Sequence, residues 1–325
     1  MKTLRLGIIG NGRIAKRFIA DAKKVSDVQI VCVYNPKETS AKNFAQEYGL
    51  DRWVCDYKNF LNIVDAVYIA SPHETHFAYA KLALEAGKHV LCEKPMCLMK
   101  QQAEELYQLA RQQSLILREA IKTSYFSEFQ KMIEVANSGL IGEIRDVEAC
   151  FTKITDKDGR ELTDTLYGGS VTELASYVLL PIFRLLGTDF KELSFQSIPA
   201  DHGVDAYTKI ILGYEHAMAL GKVGLGVKSE GQLIIAGTKG YILCESPWWL
   251  TKYFQVRDVE GNTLEEYSAQ LEGSGLQYEL ASFAAEIEGR EMDACNGVNR
   301  EESIALAYVI EKFLERRISS TETKL

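Results

Sequence analysis

A glutamate and a lysine end a mostly apolar stretch at residues 89–96, which reads HVLCEKPM. Its first four residues predict a short buried strand, and Pro95 prevents further ladder pairing. A lysine at that strand end could bind a substrate hydroxyl, stabilise a developing alkoxide, or depress the pKa of a neighbouring acid. Glu93 and Lys94 could equally belong to a structural salt bridge, so the stretch alone leaves both roles open.

A second pair of reactive side chains, Glu173 and Tyr177, lies in the segment YGGSVTELASYVLL (167–180). Their four-residue spacing puts both on one face of a predicted helix whose start is marked by Gly168 and Gly169. A carboxylate and a phenol on an otherwise apolar helix need polar partners or water. The pattern is equally compatible with a catalytic pair and with a structural role, in which the tyrosine lies in the core and the glutamate lies near an edge.

The segment GNGRIA carries Gly10, Gly12 and Ala15 in a G-x-G-x-x-A spacing, directly after the first apolar run. The first glycine permits a tight turn, the second lets a pyrophosphate approach the backbone, and the alanine allows close packing. Arg13 and Ile14 would open the following helix, whose N-terminus offers free N–H groups and positive potential. We therefore expect these five residues to bind a dinucleotide.

Cofactor preference is usually set about 20 residues further on, where NAD-selective sites carry an acid for the ribose hydroxyls. Here the sequence reads Tyr34-Asn35-Pro36-Lys37, without a carboxylate. Asn35 could hydrogen-bond a hydroxyl or a 2′-phosphate, and Lys37 could supply a cation. The alternative is a strand end turned by Asn-Pro with a solvated lysine, so the pattern favours NADP only slightly.

A polar loop, SPHETH (71–76), follows the apolar run DAVYIAS. Ligands in open α/β sheets bind outside the carboxyl ends of the strands. Ser71, His73 and His76 are therefore expected to face the cofactor. The alternative is a helix cap in which Thr75 or His76 starts the helix that follows.

These residues are positioned by alternating strand and helix patterns in the first ~120 residues, since the strand-like runs are apolar throughout. Such alternation predicts a doubly wound parallel sheet covered on both faces, a Rossmann domain at residues 1–122. Glu93 and Lys94 would lie on the same rim as the glycine loop, near the nicotinamide. The apolar runs occupy residues 4–10, 28–34, 65–71, 89–92 and 115–120.

Residues 123–325 show a different pattern, which predicts an α+β domain with a large, mostly antiparallel sheet. GTKG (237–240) predicts a hairpin turn between two strand-like runs. The C-terminal helices, near 276–288 and 300–316, are candidates for packing back on the first domain, and a frayed tail, SSTETKL, would follow. The remaining predicted elements are a helix in FQKMIEVANSG and strands in EIRDVEACFTKI, AYTKIILGY, HAMALGKVGLGV, GQLIIAG and GYILCES.

Composition bounds the partners of this 325-residue chain, whose length favours two domains. A net charge of −8 without long basic runs argues against nucleic acid or an anionic membrane as a partner. No signal-peptide pattern opens the chain, and no apolar run approaches the roughly 20 residues that span a bilayer. None of the seven cysteines, Cys295 included, forms a C-x-x-C pair. We therefore expect reduced core cysteines in a cytoplasmic protein, and we predict no metal site.

Taken together, the motifs resemble the glucose–fructose oxidoreductase / inositol 2-dehydrogenase (Gfo/Idh/MocA) family. The resemblance runs over nearly the whole chain. CEKPM is its most specific part, and AGTKGYI and GSGLQYELASF look most like the dimeric dihydrodiol dehydrogenase branch. The other matching stretches, in the family's order and spacing, are GNGRIA, SPHETH, REA (118–120), GLIGEIRDV and YGGSVTELASY.

The resemblance implies an NAD(P)-dependent oxidoreductase that transfers hydride to or from a secondary-alcohol carbon of a sugar, cyclitol or cyclic diol. A homodimer through the second domain's sheet is expected separately, because helices on one face only would leave an apolar face to bury. Lys94 would be the active-site lysine, Tyr177 the general acid/base, and Glu173 would orient one or both. His73 stands where an asparagine often follows the proline in relatives. Two further features depart from many relatives: Glu173 replaces an aspartate, and Ala175 replaces a glycine. They leave open a non-catalytic NAD(P)-sensing regulator, and an NAD-dependent glycosidase is a further alternative.

Overall fold

The computed structural model describes residues 3–290 and 297–322 and divides the chain into two compact units. The first unit comprises Met1–Tyr125 and Glu272–Ser303, and the second comprises Phe126–Leu271 and Ile304–Leu325. The change of pattern near residue 122 is therefore close to the first boundary. Residues 272–303 belong to the first unit, although they follow the second-domain segment in sequence.

The first unit is built on a six-stranded sheet in the order β3-β2-β1-β4-β5-β6, with every pair parallel. This order and direction confirm the Rossmann prediction. Five of the strands coincide with the predicted apolar runs, whereas the two-residue β3 is too short to give a pattern of its own. The strands are β1 (Leu4–Ile9), β2 (Val28–Tyr34), β3 (Trp53–Val54), β4 (Ala66–Ile69), β5 (His89–Glu93) and β6 (Leu117–Ala120).

Helices connect these strands, as parallel pairing requires. The fourth begins at His73 rather than at Thr75 or His76, because Pro72 directly before it is compatible with a helix start. Its first turn therefore contains most of the segment predicted as a loop. The first five helices are α1 (Arg13–Ala22), α2 (Glu38–Tyr48), α3 (Tyr57–Leu61), α4 (His73–Glu85) and α5 (Lys100–Gln112).

The second unit is built on an eight-stranded sheet in the order β14-β13-β12-β11-β7-β10-β9-β8. Only β7 and β10 pair in parallel, which confirms a mostly antiparallel sheet. The predicted hairpin joins β11 to β12. The strands are β7 (Ile144–Thr152), β8 (Glu192–Pro199), β9 (Asp205–Gly213), β10 (Met218–Gly224), β11 (Leu233–Gly237), β12 (Gly240–Cys244), β13 (Tyr253–Asp258) and β14 (Thr263–Ser268).

One face of this sheet is covered by the helix that carries Glu173 and Tyr177, which packs against β7, β9 and β10. The covered face contributes alternate strand residues to the core, among them Val147, Ile210 and Val223. The three helices that precede β8 are α6 (Ser127–Asn137), α7 (Arg160–Thr163) and α8 (Ser170–Leu186).

Two further helices, α9 (Leu276–Ile287) and α10 (Arg300–Glu322), follow the second sheet. Helix α9 completes the core of the first unit, where Leu280 and Phe283 pack in the same cluster as Phe18 of α1. Helix α10 continues beyond residue 316, where the sequence pattern ended it, while residues 323–325 of the predicted frayed tail lie outside the described residues. None of the described helices is both long and apolar enough to cross a bilayer.

Six of the seven cysteines lie within the described residues, and all six are free thiols. Five of them are buried, as expected for core cysteines, and only Cys55 is partly exposed. Burial raises the pKa of the Cys32 thiol to about 11, which disfavours the reactive thiolate. Cys295 lies outside the described residues.

Candidate active site

The glycine loop after β1 leaves open space that no part of the described chain fills. Gly10 has φ +95, and a Cβ there would lie 2.5 Å from the carbonyl oxygen of Ala70, so the turn itself requires glycine. A Cβ at Gly12, by contrast, would meet nothing within 4 Å. Gly12 precedes the uncapped start of α1, so a side chain there would occupy space suited to a pyrophosphate. These residues fit a dinucleotide.

The other residues of the loop divide between surface and core. Arg13 is exposed and Ile14 is partly buried, whereas Ala15 is fully buried in the core cluster of the first unit. The small alanine therefore allows α1 to pack closely on the sheet, in the role that the motif assigns to it.

Asn35 at the end of β2 is tied to the glycine loop through Asn11, a residue that the sequence analysis missed. The Asn35 side-chain amide donates to Asn11 Oδ1 at 3.0 Å, and Asn35 Oδ1 accepts the Lys37 N–H at 2.9 Å. Asn11 in turn donates to the Ser40 carbonyl at 3.0 Å. Position two of the fingerprint is unconstrained in type, so no sequence signal marks Asn11. Lys37 is exposed just before α2.

The segment after β4 is held by hydrogen bonds of its own. The hydroxyls of Ser71 and Thr75 are 2.7 Å apart, and Thr75 also donates to the Pro72 carbonyl at 2.7 Å. His73 is 8% exposed and His76 is fully buried. His76 has Nε2 2.8 Å from the Ser71 carbonyl oxygen and Nδ1 2.8 Å from the Pro95 carbonyl oxygen. Both of its ring nitrogens therefore face the backbone.

Residues 93–96, here called the Lys94 segment, are fixed by buried side chains on both sides of the lysine. Tyr68 donates its hydroxyl to Glu93 Oε1 at 2.5 Å. The Met96 N–H donates to Glu119 Oε1 at 3.0 Å, and Ser303 donates to the other oxygen of Glu119. Lys94 itself is partly exposed. Glu93 and Met96 are thus each held by a buried hydrogen bond, while Lys94 between them remains accessible.

Burial dominates the electrostatics around the Lys94 segment. It raises the pKa of Glu119 to about 7 and also raises the pKa of Glu93, although the charge of Lys94 partly offsets the latter effect. Glu279 on α9 is fully buried, and neither of its oxygens has a hydrogen-bond partner among the residues that the structure describes. Burial raises its pKa well above the ordinary value. Burial lowers the pKa of Lys122, whose ammonium donates to the Ser274 carbonyl. The three carboxyl groups therefore titrate at higher pH than exposed ones do, and Glu119 is ionised above about pH 7.

In the second unit, Glu173 and Tyr177 lie on one face of α8, as their spacing predicts. Glu173 Oε1 is 3.4 Å from the guanidinium of Arg160 on α7. The Tyr177 ring contacts Phe151 of β7 edge-on, with centroids 5.0 Å apart. Phe151 stacks in turn on Trp249, with centroids 3.7 Å apart and planes inclined by 5°. The carboxylate therefore has a cationic neighbour, and the phenol has an aromatic one.

Asp205 on β9 fixes the start of α8 and is the second residue that sequence reasoning missed. Its Oδ2 accepts the Val171 N–H at 2.9 Å and the Thr208 hydroxyl at 2.8 Å. Gly169 has φ +113, and a Cβ there would lie 2.1 Å from Asp205 Oδ1. Burial raises the pKa of Asp205 to about 7. The contact spans 34 residues in sequence, so no local pattern could predict it.

The candidate residues thus form two groups. Those of the first unit, from Gly10 to Lys94, follow the carboxyl ends of neighbouring parallel strands, whereas Glu173 and Tyr177 lie in the second unit. Among the residues that the structure describes, no group of three or more His, Cys, Asp or Glu side chains could hold a metal ion.

Two family models match the chain. One, described as an oxidoreductase family with an NAD-binding Rossmann fold, matches residues 4–121. The other, a GFO/IDH/MocA C-terminal domain, matches residues 129–243. Between them they span most of both predicted domains.

Curated relatives and solved structures are similar to the chain over most of its length. It is 30% identical to trans-1,2-dihydrobenzene-1,2-diol dehydrogenase of Sus scrofa, over 76% of this chain and 75% of that one. It is 29% identical to scyllo-inositol 2-dehydrogenase (NADP(+)) of Bacillus subtilis, over 65% and 67%. A 3-ketoreductase of Actinomadura kijaniata, solved with NADP and TDP-benzene, shares the fold with a TM-score of 0.82 at 22% identity, covering 95% and 96%.

Proposed function

Since the chain belongs to the Gfo/Idh/MocA family of NAD(P)-dependent oxidoreductases, we propose that it transfers hydride between a nicotinamide and a secondary alcohol or ketone of a cyclic substrate. The observation that carries this proposal is the open space beside Gly12, on the same sheet rim as the Lys94 segment. The open space beside Gly12 would accommodate a dinucleotide. The Lys94 segment places a partly exposed lysine at the end of β5, in the same sheet.

The residues that would hold the dinucleotide come from the rim of the first sheet. Gly10, Gly12 and the backbone at the start of α1 would bind the pyrophosphate, and Asn35 with Lys37 would contact the adenosine ribose. Ser71, His73 and Glu93 would line the nicotinamide end, with His76 supporting them from within the core. When bound, the nicotinamide supplies or accepts the hydride.

We propose that Tyr177 is the general acid/base and that Lys94 binds the reacting oxygen. A tyrosine with an ordinary pKa of about 10 is a poor base at neutral pH, and a nearby cation would bring that pKa toward the working range. Lys94 would have this effect in the complex with substrate. Glu173, whose carboxylate is already paired with Arg160, would orient this pair.

The substrate class follows from the aromatic side chains beside Tyr177. Phe151 and Trp249 are partly exposed and stacked, so they could pack against the apolar face of a ring. Sugars, cyclitols and cyclic diols each combine such a face with secondary hydroxyls. The relatives' names cover this range, from an inositol to a dihydrobenzene diol.

The experiment that tests the function is a screen of cyclic polyols, sugars and diols that follows NAD(P)H absorbance. Lys94→Met and Tyr177→Phe should each remove most of the turnover, and the double variant should be little worse because the two act as a unit. NAD(P)H affinity should change far less. A Tyr177→Phe enzyme with near-wild-type turnover would exclude Tyr177 as the acid/base.

Cofactor binding has a separate test at the glycine loop. Gly12→Val should abolish NAD(P)H binding in a fluorescence titration without changing the melting temperature, since a Cβ at this position meets no protein atom within 4 Å. Tight binding by this variant would contradict the assignment. We also propose a slight preference for NADP, because no carboxylate near Asn35 would repel a 2′-phosphate. A more than tenfold preference for NAD, about 1.4 kcal/mol, would overturn it.

A non-catalytic NAD(P)-sensing regulator is the second candidate function. The observation that favours it is the Arg160–Glu173 pair, since that carboxylate already has a partner on its own unit. NAD(P)H binding without turnover of any cyclic substrate in the screen would support this candidate.

We further propose that the protein is a cytoplasmic homodimer formed through the second sheet. The face opposite α8 carries partly exposed apolar residues, including Ile211 and Leu220 on the adjacent strands β9 and β10, and Ile234 on β11 beyond Glu148 of β7. Apolar sheet faces of this breadth are usually covered, and a second copy would cover one symmetrically. A monomeric mass in light scattering at micromolar concentration would contradict the dimer.

A further inference from the structure

The histidine buried beneath the Lys94 segment has an unusual pair of neighbours. His76 is fully buried, and each of its ring nitrogens lies 2.8 Å from a backbone carbonyl oxygen, that of Ser71 or that of Pro95. A carbonyl oxygen can only accept a hydrogen bond, and a neutral imidazole donates from one nitrogen alone. In a neutral ring, the second contact would therefore place two lone pairs against each other. Only the imidazolium satisfies both contacts.

A second histidine in the same unit shows the opposite arrangement. His89 Nδ1 accepts the N–H of Ile116 at 3.0 Å, so that nitrogen must carry a lone pair. Burial lowers the pKa of His89, which also favours the neutral ring. The two histidines therefore differ in protonation because of the backbone groups that they face.

A buried imidazolium needs a compensating charge, and one lies on the other side of the same peptide group. The Pro95 carbonyl and the Met96 N–H belong to a single peptide unit. His76 contacts its oxygen, and Glu119 Oε1 accepts from its N–H at 3.0 Å. Glu119 is 1% exposed, and its second oxygen accepts from Ser303. A cation and an anion thus flank one peptide unit and polarise it in the same sense.

We propose that His76 is held as an imidazolium, that Glu119 balances its charge across the Pro95–Met96 peptide unit, and that the two together position Lys94. His73 is the nearest histidine, with its ring centroid 5.7 Å from that of His76. The titratable groups that interact with Glu119 include Glu93, Lys94, Cys92, Cys97 and Tyr107. Because Tyr68 holds Glu93, Lys94 has a fixed neighbour on either side. His76 and Glu119 are positioning residues, since neither is expected to touch the substrate.

The charge state can be read by nuclear magnetic resonance on the full-length protein labelled with ¹⁵N-histidine. At pH 8, both ring nitrogens of His76 should report as protonated, whereas His89 should show one protonated and one unprotonated nitrogen. The signal is assigned with His76→Gln, and the exposed His202 supplies a solvent reference. A neutral pattern for His76 at pH 8 would overturn the proposal.

Glu119→Gln tests the balance of charge while keeping both contacts, because the amide oxygen still accepts from Met96 and the amide N–H can donate to the Ser303 hydroxyl. The pH at which His76 loses its proton should fall by about one unit or more in this variant. An unchanged value would show that Glu119 does not balance the imidazolium. This measurement requires neither substrate nor turnover.

The positioning role rests on the proposed function and has its own kinetic test. His76→Gln should lower kcat by about tenfold to a hundredfold while the dissociation constant of NAD(P)H stays within about twofold. His202→Gln, an exchange of the same type on an exposed turn of the second unit, should leave kcat unchanged. An unaffected kcat in His76→Gln would overturn the positioning role. If the wild type turned over no cyclic substrate, the proposed function would fail, and the spectra would still decide the charge.

Discussion

The Lys94 segment and the start of α8 both position candidate catalytic side chains, but they do so in different ways. The Lys94 segment is held at successive residues by separate buried partners, from Tyr68 through His76 to Glu119. At the start of α8, one carboxylate, Asp205, accepts the Val171 N–H and leaves no space for a side chain at Gly169, while Ser170 and Arg317 donate to backbone carbonyl groups nearby. We therefore expect the Lys94 segment to tolerate the loss of any one partner better than the start of α8 tolerates the loss of its contact with Asp205.

The largest effect is therefore expected at Gly169. In Gly169→Ala, the added Cβ would be 2.1 Å from Asp205 Oδ1, at a φ of +113. Backbone strain and the damaged cap together should lower the free energy of unfolding by about 4 kcal/mol or more. The matched control is Gly187→Ala at the other end of α8, where φ is +77 and a Cβ meets nothing within 4 Å. Only strain of about 2 kcal/mol is expected there. Equal losses in denaturant unfolding would show that Asp205 contributes nothing to the difference.

Asp205 should make stability depend on pH. Burial raises its pKa from 3.8 to about 7 in the folded state, so between these values the native protein holds a proton that the unfolded chain has lost. Its contribution is fully present below about pH 4 and is lost as the pH rises through 7, at most about 4 kcal/mol in total.

The variant Asp205→Asn isolates this contribution, because an amide oxygen can still accept the Val171 N–H. Unfolding free energies of wild type and variant, measured from pH 4 to pH 8, should differ progressively in favour of the variant. A constant difference would mean that Asp205 titrates normally. In that case the contact between Asp205 and the start of α8 would not make stability depend on pH.

A single partner of the Lys94 segment should matter less. Tyr68→Phe removes the hydroxyl that donates to buried Glu93 and should cost about 2 kcal/mol, since a carboxyl oxygen loses its donor. Tyr57→Phe is the matched control, because the Tyr57 hydroxyl donates to the neutral backbone carbonyl of Tyr79 at 2.8 Å. About 1 kcal/mol is expected there. A loss at Tyr68 as large as that at Gly169 would remove the distinction between the two regions.

The smallest effect is expected at Arg160, whose side chain is 47% exposed beside Glu173. Solvent screens such pairs, so Arg160→Gln should change the free energy of unfolding by less than about 0.5 kcal/mol. Adding salt should reduce even that difference. A larger, salt-independent loss would assign Arg160 a share in holding α8.

The sequence predicted the first sheet well, because buried parallel strands are apolar throughout and helices separate them regularly. It also predicted α8 and the hairpin after β11, where glycines mark the turns. It missed β8, β13 and β14, which have few buried residues: one in β8, two in β13 and none in β14. Helix α9 follows the second sheet in sequence but packs in the first core, an arrangement for which the sequence made the C-terminal helices candidates.

The site residues that escaped prediction share a physical cause. Glu119 and Asp205 act on backbone groups 23 and 34 residues away, and such pairing depends on the folded topology. His76 was expected either to face the cofactor or to start the following helix. The sequence alone does not reveal which groups face its two ring nitrogens. That information exists only once β4 and β5 lie side by side.

The two-part composition of the first unit has a consequence for protein synthesis. Residues 1–125 emerge from the ribosome long before α9, whose Leu280 and Phe283 complete their core. At about 5–20 residues per second, the roughly 150 intervening residues take on the order of ten to thirty seconds. During that interval the part of α1 that packs on α9 has no native cover, so the nascent chain would present an apolar, chaperone-binding surface until α9 has been made.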